Sequence, residues 1–314
     1  EKLGVEILPE QEVQDIRPLE DGGYQLTIRK SIGLRRPIQK LQAEKVILSG
    51  GVMGTVKLLM QCRKKGSLVN ISPKLGDFVR TNSEAIIGVK LKKTPQEDFS
   101  KGIAISAGFH PDEKTHIETV RYGKGQTAMA LLTTLLSDRK IPLPGLIRWG
   151  ISVIRAPLQF IANFFPFNWA RKTIILLVMQ PIDNYLKLNY KPRWWRLGGF
   201  SMNSQSSTGK KIPSHIPIGE KTAHTIMSKT GGTILTTYMD SIFDIPTTAH
   251  ILGGACLGKN KDSGVIDENF EMFNYPGMYV VDGSMVPSNL GVNPSLTITA
   301  LSEYAMSRFP NKKI

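Results

Sequence analysis

Two short apolar runs, each passing through a glycine turn into a helical pattern, stand at opposite ends of this chain. The first is Lys45-Val-Ile-Leu48, followed by Ser49-Gly50-Gly51 and a helix expected over Thr55–Arg63, with Val56, Leu59 and Met60 on one side. The second is Met278-Tyr-Val-Val281, followed by Asp282-Gly283-Ser284 and, after Gly291, a helix from about Pro294 to Phe309. A short apolar run bounded by glycine reads as a buried strand, and a 3.6-residue period beyond it reads as a helix. Strands and helices must therefore share a core. Within the second unit Asn293 suits the cap position of the helix and Pro294 its first residue, and the free N–H groups there favour negative charge. An ordinary capped helix explains that segment equally well when it is taken alone.

The rest of the chain has a different texture. Residues 4–9 and 12–19 alternate apolar and polar, then turn at Asp21-Gly22-Gly23 into Tyr24–Ile28, which predicts a small antiparallel meander. Short strands are expected at Ala85–Leu91, Ile103–Phe109, Thr115–Val120, Thr173–Met179 and Tyr185–Tyr190. The stretch from about 128 to 172 looks helical but is broken at Pro142, Pro144, Pro157 and Pro166. A Ser-, Thr- and Gly-rich section follows from Gly198 to Gly209. The two cysteines, Cys62 and Cys256, make neither a disulfide framework nor a metal pattern, and they suggest a reducing compartment.

Charge is unevenly spread. The chain carries a net charge of +14, and ten basic residues with a single acid, Asp183, lie between Arg139 and Arg196, together with all four tryptophans. Such a balance points to an anionic partner. No recognition module accompanies it, so nucleic acid is not expected. Three placements fit Leu146, Trp149, Val153, Phe160, Ile161, Phe164 and Phe165, which are interleaved with Arg148 and Arg155: a lid over a substrate, an interfacial surface meeting anionic headgroups, or plain packing on the core. No apolar run is long enough to span a bilayer.

Four segments in order make the pattern specific: Thr248-Ala-His250-Ile-Leu-Gly253-Gly254, Gly264-Val-Ile-Asp267, Pro276-Gly-Met-Tyr-Val-Val-Asp282-Gly-Ser, and Gly291-Val-Asn293-Pro294-Ser-Leu-Thr-Ile-Thr-Ala. Together they resemble the C-terminal signature of the glucose-methanol-choline (GMC) oxidoreductases. Glu44–Thr55 looks like that family's second flavin-contacting strand and turn. Leu131–Leu136, Val178–Asn184 and Ile212–Pro217 resemble the cholesterol-oxidase-like branch.

The resemblance implies an FAD-dependent oxidoreductase of α/β (α+β) class. A Rossmann-like FAD domain, made of residues 1–84 and 246–314, would be interleaved with a substrate domain over 85–245 built on a mostly antiparallel sheet. The glycine-rich Gly-x-Gly-x-x-Gly fingerprint is missing, and Gly50-Gly51-Val-Met-Gly54 lacks its spacing. An N-terminal part of the FAD domain is therefore expected to precede Glu1, and the chain alone is expected to bind flavin poorly.

By the same resemblance His250 is the histidine over the flavin, suited to accept the proton of a substrate hydroxyl. Asn293 takes the second active-site position, where asparagine favours the sterol-like branch. Glu118 falls where a substrate-side carboxylate moves a proton during double-bond isomerisation, although an exposed strand glutamate fits its surroundings as well. Val13, Gly50, Gly51, Asp282 and Gly283 are the expected flavin contacts, with Asn293 and Pro294 beside the ring. The implied substrate is a sterol or another lipid alcohol, with peripheral membrane contact through 139–196. No metal is expected, since His110, His116, His215 and His224 lack the usual ligand spacing.

Overall fold

The computed structural model describes residues 2, 4–192, 199–207 and 212–309. The expected meander is present but shifted. Strands β1 (Gln11–Pro18), β2 (Tyr24–Lys30) and β3 (Ile38–Ala43) form an antiparallel sheet, whereas residues 4–9 form no strand. Those early residues are exposed and pair with nothing that would reward an extended backbone.

The chain then enters β4 (Val46–Leu48) and α1 (Gly51–Lys65). The helix begins four residues before the expected Thr55, because Gly51 adopts φ +66, a conformation that costs other residues energy, and so turns the chain at once. It ends at Gly66 in the left-handed conformation, with Arg63, Lys64 and Lys65 facing its negative dipole end.

Next come β5 (Ala85–Lys90), β6 (Ile105–Asp112), β7 (Thr115–Val120) and β8 (Thr133–Leu135). The last of these lies inside the stretch expected to be helical. Its Thr133-Thr-Leu135 pairs with a later strand, and that pairing overrides local helical preference. Helices α2 (Gly145–Arg155), α3 (Pro157–Phe164) and α4 (Trp169–Lys172) follow, broken at the prolines.

Strands β9 (Thr173–Met179), β10 (Leu186–Pro192) and β11 (Phe200–Ser206) precede α5 (Pro217–Thr230), β12 (Thr233–Thr237) and α6 (Tyr238–Phe243). The chain closes with β13 (Met278–Val280) and α7 (Ser295–Arg308). The expected Gly198–Gly209 section partly forms β11, while Gly198 and Thr208–Gly209 fall outside the described residues, as do Trp194 and Trp195.

Strands β6-β7-β9-β5-β12-β8 make a six-stranded, wholly antiparallel sheet. Helix α5 packs on one side of it through Ala223 against Ile87, Val178 and Ile234. The other side carries Ile86, Val120 and Ile175, covered by Trp169 and Ala170.

A separate core joins the two ends of the chain. Strand β13 pairs in parallel with β4, and Leu48, Val56 and Leu59 pack with Phe270, Met278 and Val280. The β10–β11 ribbon, from the span expected to serve the substrate, also buries Leu188 in this core. Cys62 and Cys256 are free and buried, and burial pushes both thiols up to about 11, so they remain neutral.

Candidate functional site

His250 lies in an irregular segment held by its neighbours and by a carboxylate from elsewhere in the sequence. Its backbone N–H donates to Thr248 Oγ1 at 2.9 Å, and Thr248 Oγ1 lies 2.8 Å from the Thr81 carbonyl. The ring Nδ1 sits 3.1 Å from Glu84 Oε2. The Glu84 side chain is wholly buried, whereas the imidazole keeps 17% exposure. Glu84 therefore grips the ring from the protein side and leaves its far edge open. Gly253, three residues on, has no room for a side chain, because a Cβ there would collide with the Phe78 carbonyl oxygen.

Asn293 does not cap the last helix. Pro294 occupies the cap position of α7 and makes no side-chain cap bond. The Asn293 amide instead donates to Glu118 Oε2 at 2.6 Å, while its Oδ1 is buried without a partner. The charge-assisted bond turns Nδ2 toward Glu118, and the Oδ1 that a cap would use meets no backbone N–H of the helix. A buried acceptor with no partner costs free energy and is satisfied by a ligand or by water.

Glu118 itself is buried on β7, on the side of the sheet away from α5. Its Oε1 lies 3.7 Å from His116 Nε2, and the His116 ring stacks on His110 at 4.5 Å between centroids. Among the described residues no three His, Cys, Asp or Glu side chains are grouped to hold a metal ion.

Both candidate groups are tied to one segment, Arg80-Thr-Asn-Ser-Glu84, which runs into β5. Asn82 Oδ1 accepts from the backbone N–H groups of Leu290 and Gly291 at 3.0 and 2.8 Å, and its Nδ2 donates to the Val292 carbonyl at 2.9 Å. The loop delivering Asn293 is thus fastened two residues from the carboxylate that holds His250. Arg80 anchors the segment through Asp183 and the carbonyls of Asn184 and Pro287, and Ser83 accepts from the Asn184 amide. Strand register sets the remaining geometry. Glu118 pairs with Leu177, which pairs in turn with Ile86, two residues beyond Glu84. Strands lie about 4.8 Å apart, so the backbones of Glu84 and Glu118 are roughly 10–12 Å apart at the same end of the sheet.

Sequence reasoning missed Arg80, Asn82 and Glu84. All five residues of the segment are buried, which is rare for such polar types. The only hint in the sequence is a polar run directly before an apolar strand.

The expected flavin contacts are spread along the other core. Gly50 and Gly51 open α1, and the Gly50 N–H donates to Thr55 Oγ1 at 3.1 Å. Thr55 Oγ1 donates in turn to Asp282 Oδ2, while Asp282 Oδ1 accepts from the Ser284 N–H and hydroxyl. The Asp282 carboxylate thus stitches α1 to the turn after β13, and Gly283 follows in that turn, close to Ile298 of α7. Val13 sits at a bulge of β1 and packs on the same core. The partnerless Asn293 Oδ1 beside the first turn of α7 is an acceptor that a hydrogen-bonding ring system can meet. No phosphate cradle of the glycine-rich type accompanies it among the described residues.

A cavity of about 1060 Å³ opens elsewhere, between α5 and the α2–α3 turn, lined in part by Arg139, Arg155, Glu220 and His224. None of the expected site residues lines it. The aromatic stretch divides in two. Trp149 donates to Thr134 and packs edge-on against Phe160, and Arg148 pairs with Asp244. By contrast Ile154, Leu158, Phe165 and Phe167 are 60–80% exposed. Among the described residues no helix is long and apolar enough to cross a membrane.

Comparison with known proteins adds kinship to geometry. Residues 212–302 match the GMC oxidoreductase C-terminal family. A cholesterol oxidase of Acinetobacter baumannii is 39% identical over 99% of this chain and 56% of its own length. Two solved structures share the fold at 14% identity: pyridoxine 4-oxidase from Mesorbium loti, with TM-score 0.54 over 95% of this chain and 57% of that one, and an FAD-dependent oxidoreductase from Chaetomium thermophilum, with TM-score 0.50 over 96% and 61%. The chain spans little more than half the length of each.

Proposed function

From the premise that the chain carries the C-terminal domain of the GMC oxidoreductases, with relatives named cholesterol oxidase, we propose that it serves an FAD-dependent enzyme oxidising a secondary alcohol of a bulky apolar substrate, a sterol or a similar lipid. Residues 1–84 and 246–314 would complete the FAD domain, and most of 85–245 would form the substrate side. The observation that carries this reading is the shared fastening of His250 and Asn293 to Arg80–Glu84.

FAD, when bound, supplies the hydride acceptor. The protein does the rest. His250, held at Nδ1, takes the hydroxyl proton at Nε2. Asn293 gives one N–H to Glu118, and its remaining amide groups orient the substrate oxygen. Glu118 is bonded to Asn293 and not to His250, a placement that suits a proton moved between substrate carbons during double-bond isomerisation. Exposed Ile154, Leu158, Phe165 and Phe167, flanked by Arg155 and Lys172, would meet an anionic lipid surface from which a water-insoluble substrate is drawn. The span expected to do so, 139–196, reaches beyond the described residues at 193–196.

Two measurements test this. In the full-length, flavin-loaded protein, His250→Ala should slow anaerobic flavin reduction by a sterol panel by at least about 10²-fold while the flavin stays bound. Unchanged reduction would end the reading. For the surface, Leu158→Glu with Phe167→Glu should weaken sedimentation with vesicles containing phosphatidylserine, and an unchanged bound fraction removes the membrane contact.

A further inference from the structure

We infer that Glu84 is a positioning residue that decides which nitrogen of His250 faces the pocket, an inference that rests on the reading of His250 as proton acceptor. Three consecutive residues converge on this one carboxylate. The Ala249 N–H lies 3.2 Å from Oε1, Thr248 Oγ1 lies 3.0 Å from Oε2, and His250 Nδ1 lies 3.1 Å from Oε2. A backbone N–H can only donate, so Oε1 is an acceptor. A neutral imidazole carries one N–H, and opposite a carboxylate oxygen that proton belongs on Nδ1. Nε2 then keeps its lone pair for the substrate hydroxyl. A base oriented by a third group is the general logic of activated hydroxyl chemistry.

Burial makes the arrangement informative. Glu84 is fully buried, and among the described residues its ion-pair partner is His250 rather than a lysine or arginine. Removing a carboxylate from water is costly unless donors replace the water. A neutral glutamine would fill the same space without that cost, but with its oxygen on the Ala249 N–H its amide would turn an N–H toward His250 Nδ1 and so favour the Nε2 tautomer. An all-acceptor side chain is what keeps the proton on Nδ1.

The backbone beneath it is built to the same end. Asn82 and Ser83 both have positive φ, at 57° and 43°. A non-glycine residue held in that region carries a conformational cost. The cost is tolerated where surrounding bonds over-determine the turn, and here Asn82 holds Leu290–Val292 while Ser83 meets Asn184. The turn leads from the residue that seats the Asn293 loop to the residue that seats His250. One short segment thereby fixes the spacing of the two groups.

The test compares Glu84→Gln, Glu84→Asp and His250→Ala in the full-length, flavin-loaded protein. Stopped-flow flavin reduction is paired with NMR of protein labelled with ¹⁵N at histidine, the His250 signals being assigned by their loss in His250→Ala. The wild type should show His250 protonated at Nδ1. Glu84→Gln should move the proton toward Nε2 and slow reduction about 10²-fold with little change in KM. Glu84→Asp, which keeps the charge but is one methylene shorter, should restore the Nδ1 form and part of the rate. If Glu84→Gln reduces flavin at the wild-type rate while His250→Ala does not, the Glu84 inference fails alone. If His250→Ala also reduces flavin normally, the underlying reading fails. Should Glu84→Gln not fold, Glu84→Asp decides: about a tenfold loss with the Nδ1 form kept supports positioning, and a wild-type rate overturns it.

Discussion

Two buried polar networks brace the six-stranded sheet, one beside the candidate site and one on the α5 side. Beside the site, the Arg80–Glu84 segment works largely through amides and hydroxyls that bond to backbone: Asn82 to Leu290, Gly291 and Val292, Thr248 to Thr81, and Asn289 to Ile182 and Asn184. On the α5 side, Arg139 alone meets Asp240, Asp244 and Glu220, while Arg148 shares Asp244. Burial pushes the Asp240 carboxyl up against the lowering pull of Arg139. Burial likewise pushes Glu220 up to about 7. Amide and hydroxyl networks hold their geometry across the physiological pH range, whereas a cluster of acids crowded on one guanidinium changes strength as its members titrate. The loop that carries Asn293 is thus braced by bonds that pH disturbs less.

Asn82→Ala should be the larger of two perturbations that sharpen this contrast. It removes the acceptor from two backbone N–H groups and leaves alanine at φ 57. Each buried donor left unpaired costs about 1–3 kcal/mol, and the left-handed conformation adds about 1. A loss of roughly 3 kcal/mol or more in urea unfolding is expected, similar at pH 5 and pH 8. A loss that varies strongly between those two conditions would mean that charge, not amide bonding, carries the segment.

What the sequence made legible, and what it hid, follows the same division. Periodicity and glycine marked β4, the body of α1, β13 and α7, because those features depend on neighbours a few residues away. Asn293 departs from the expected cap because its Nδ2 turns to Glu118, 175 residues distant in sequence. Arg80–Glu84 reads locally as a solvated turn, and only contacts with residues beyond 180, 248 and 289 bury it. Helix α5 carried signals that were there to be read: Pro217 in its first turn and Gly231 in the left-handed conformation just past its end. Local rules located the cofactor-side turns, and long-range polar contacts built the site.

Glu220 gives the smaller test, on the opposite network. Its carboxyl titrates near 4.5 when unfolded and near 7 when folded, chiefly because burial disfavours its charged form. The folded state therefore holds this proton more tightly. The stabilisation that results is fully present below pH 4.5, shrinks as pH rises through the interval to 7, and is gone above it. Glutamine at this position cannot titrate, so Glu220→Gln should escape that loss. Thermal unfolding at pH 5 and pH 8 should show the variant gaining on the wild type at the higher pH. After allowance for solvent screening of a partly exposed group, the gain should be on the order of 1 kcal/mol. Parallel stability curves for the two proteins would mean that Arg139, at 3.5 Å from Glu220 Oε1, already offsets the burial, and that the two networks differ less in their response to pH than their chemistry implies.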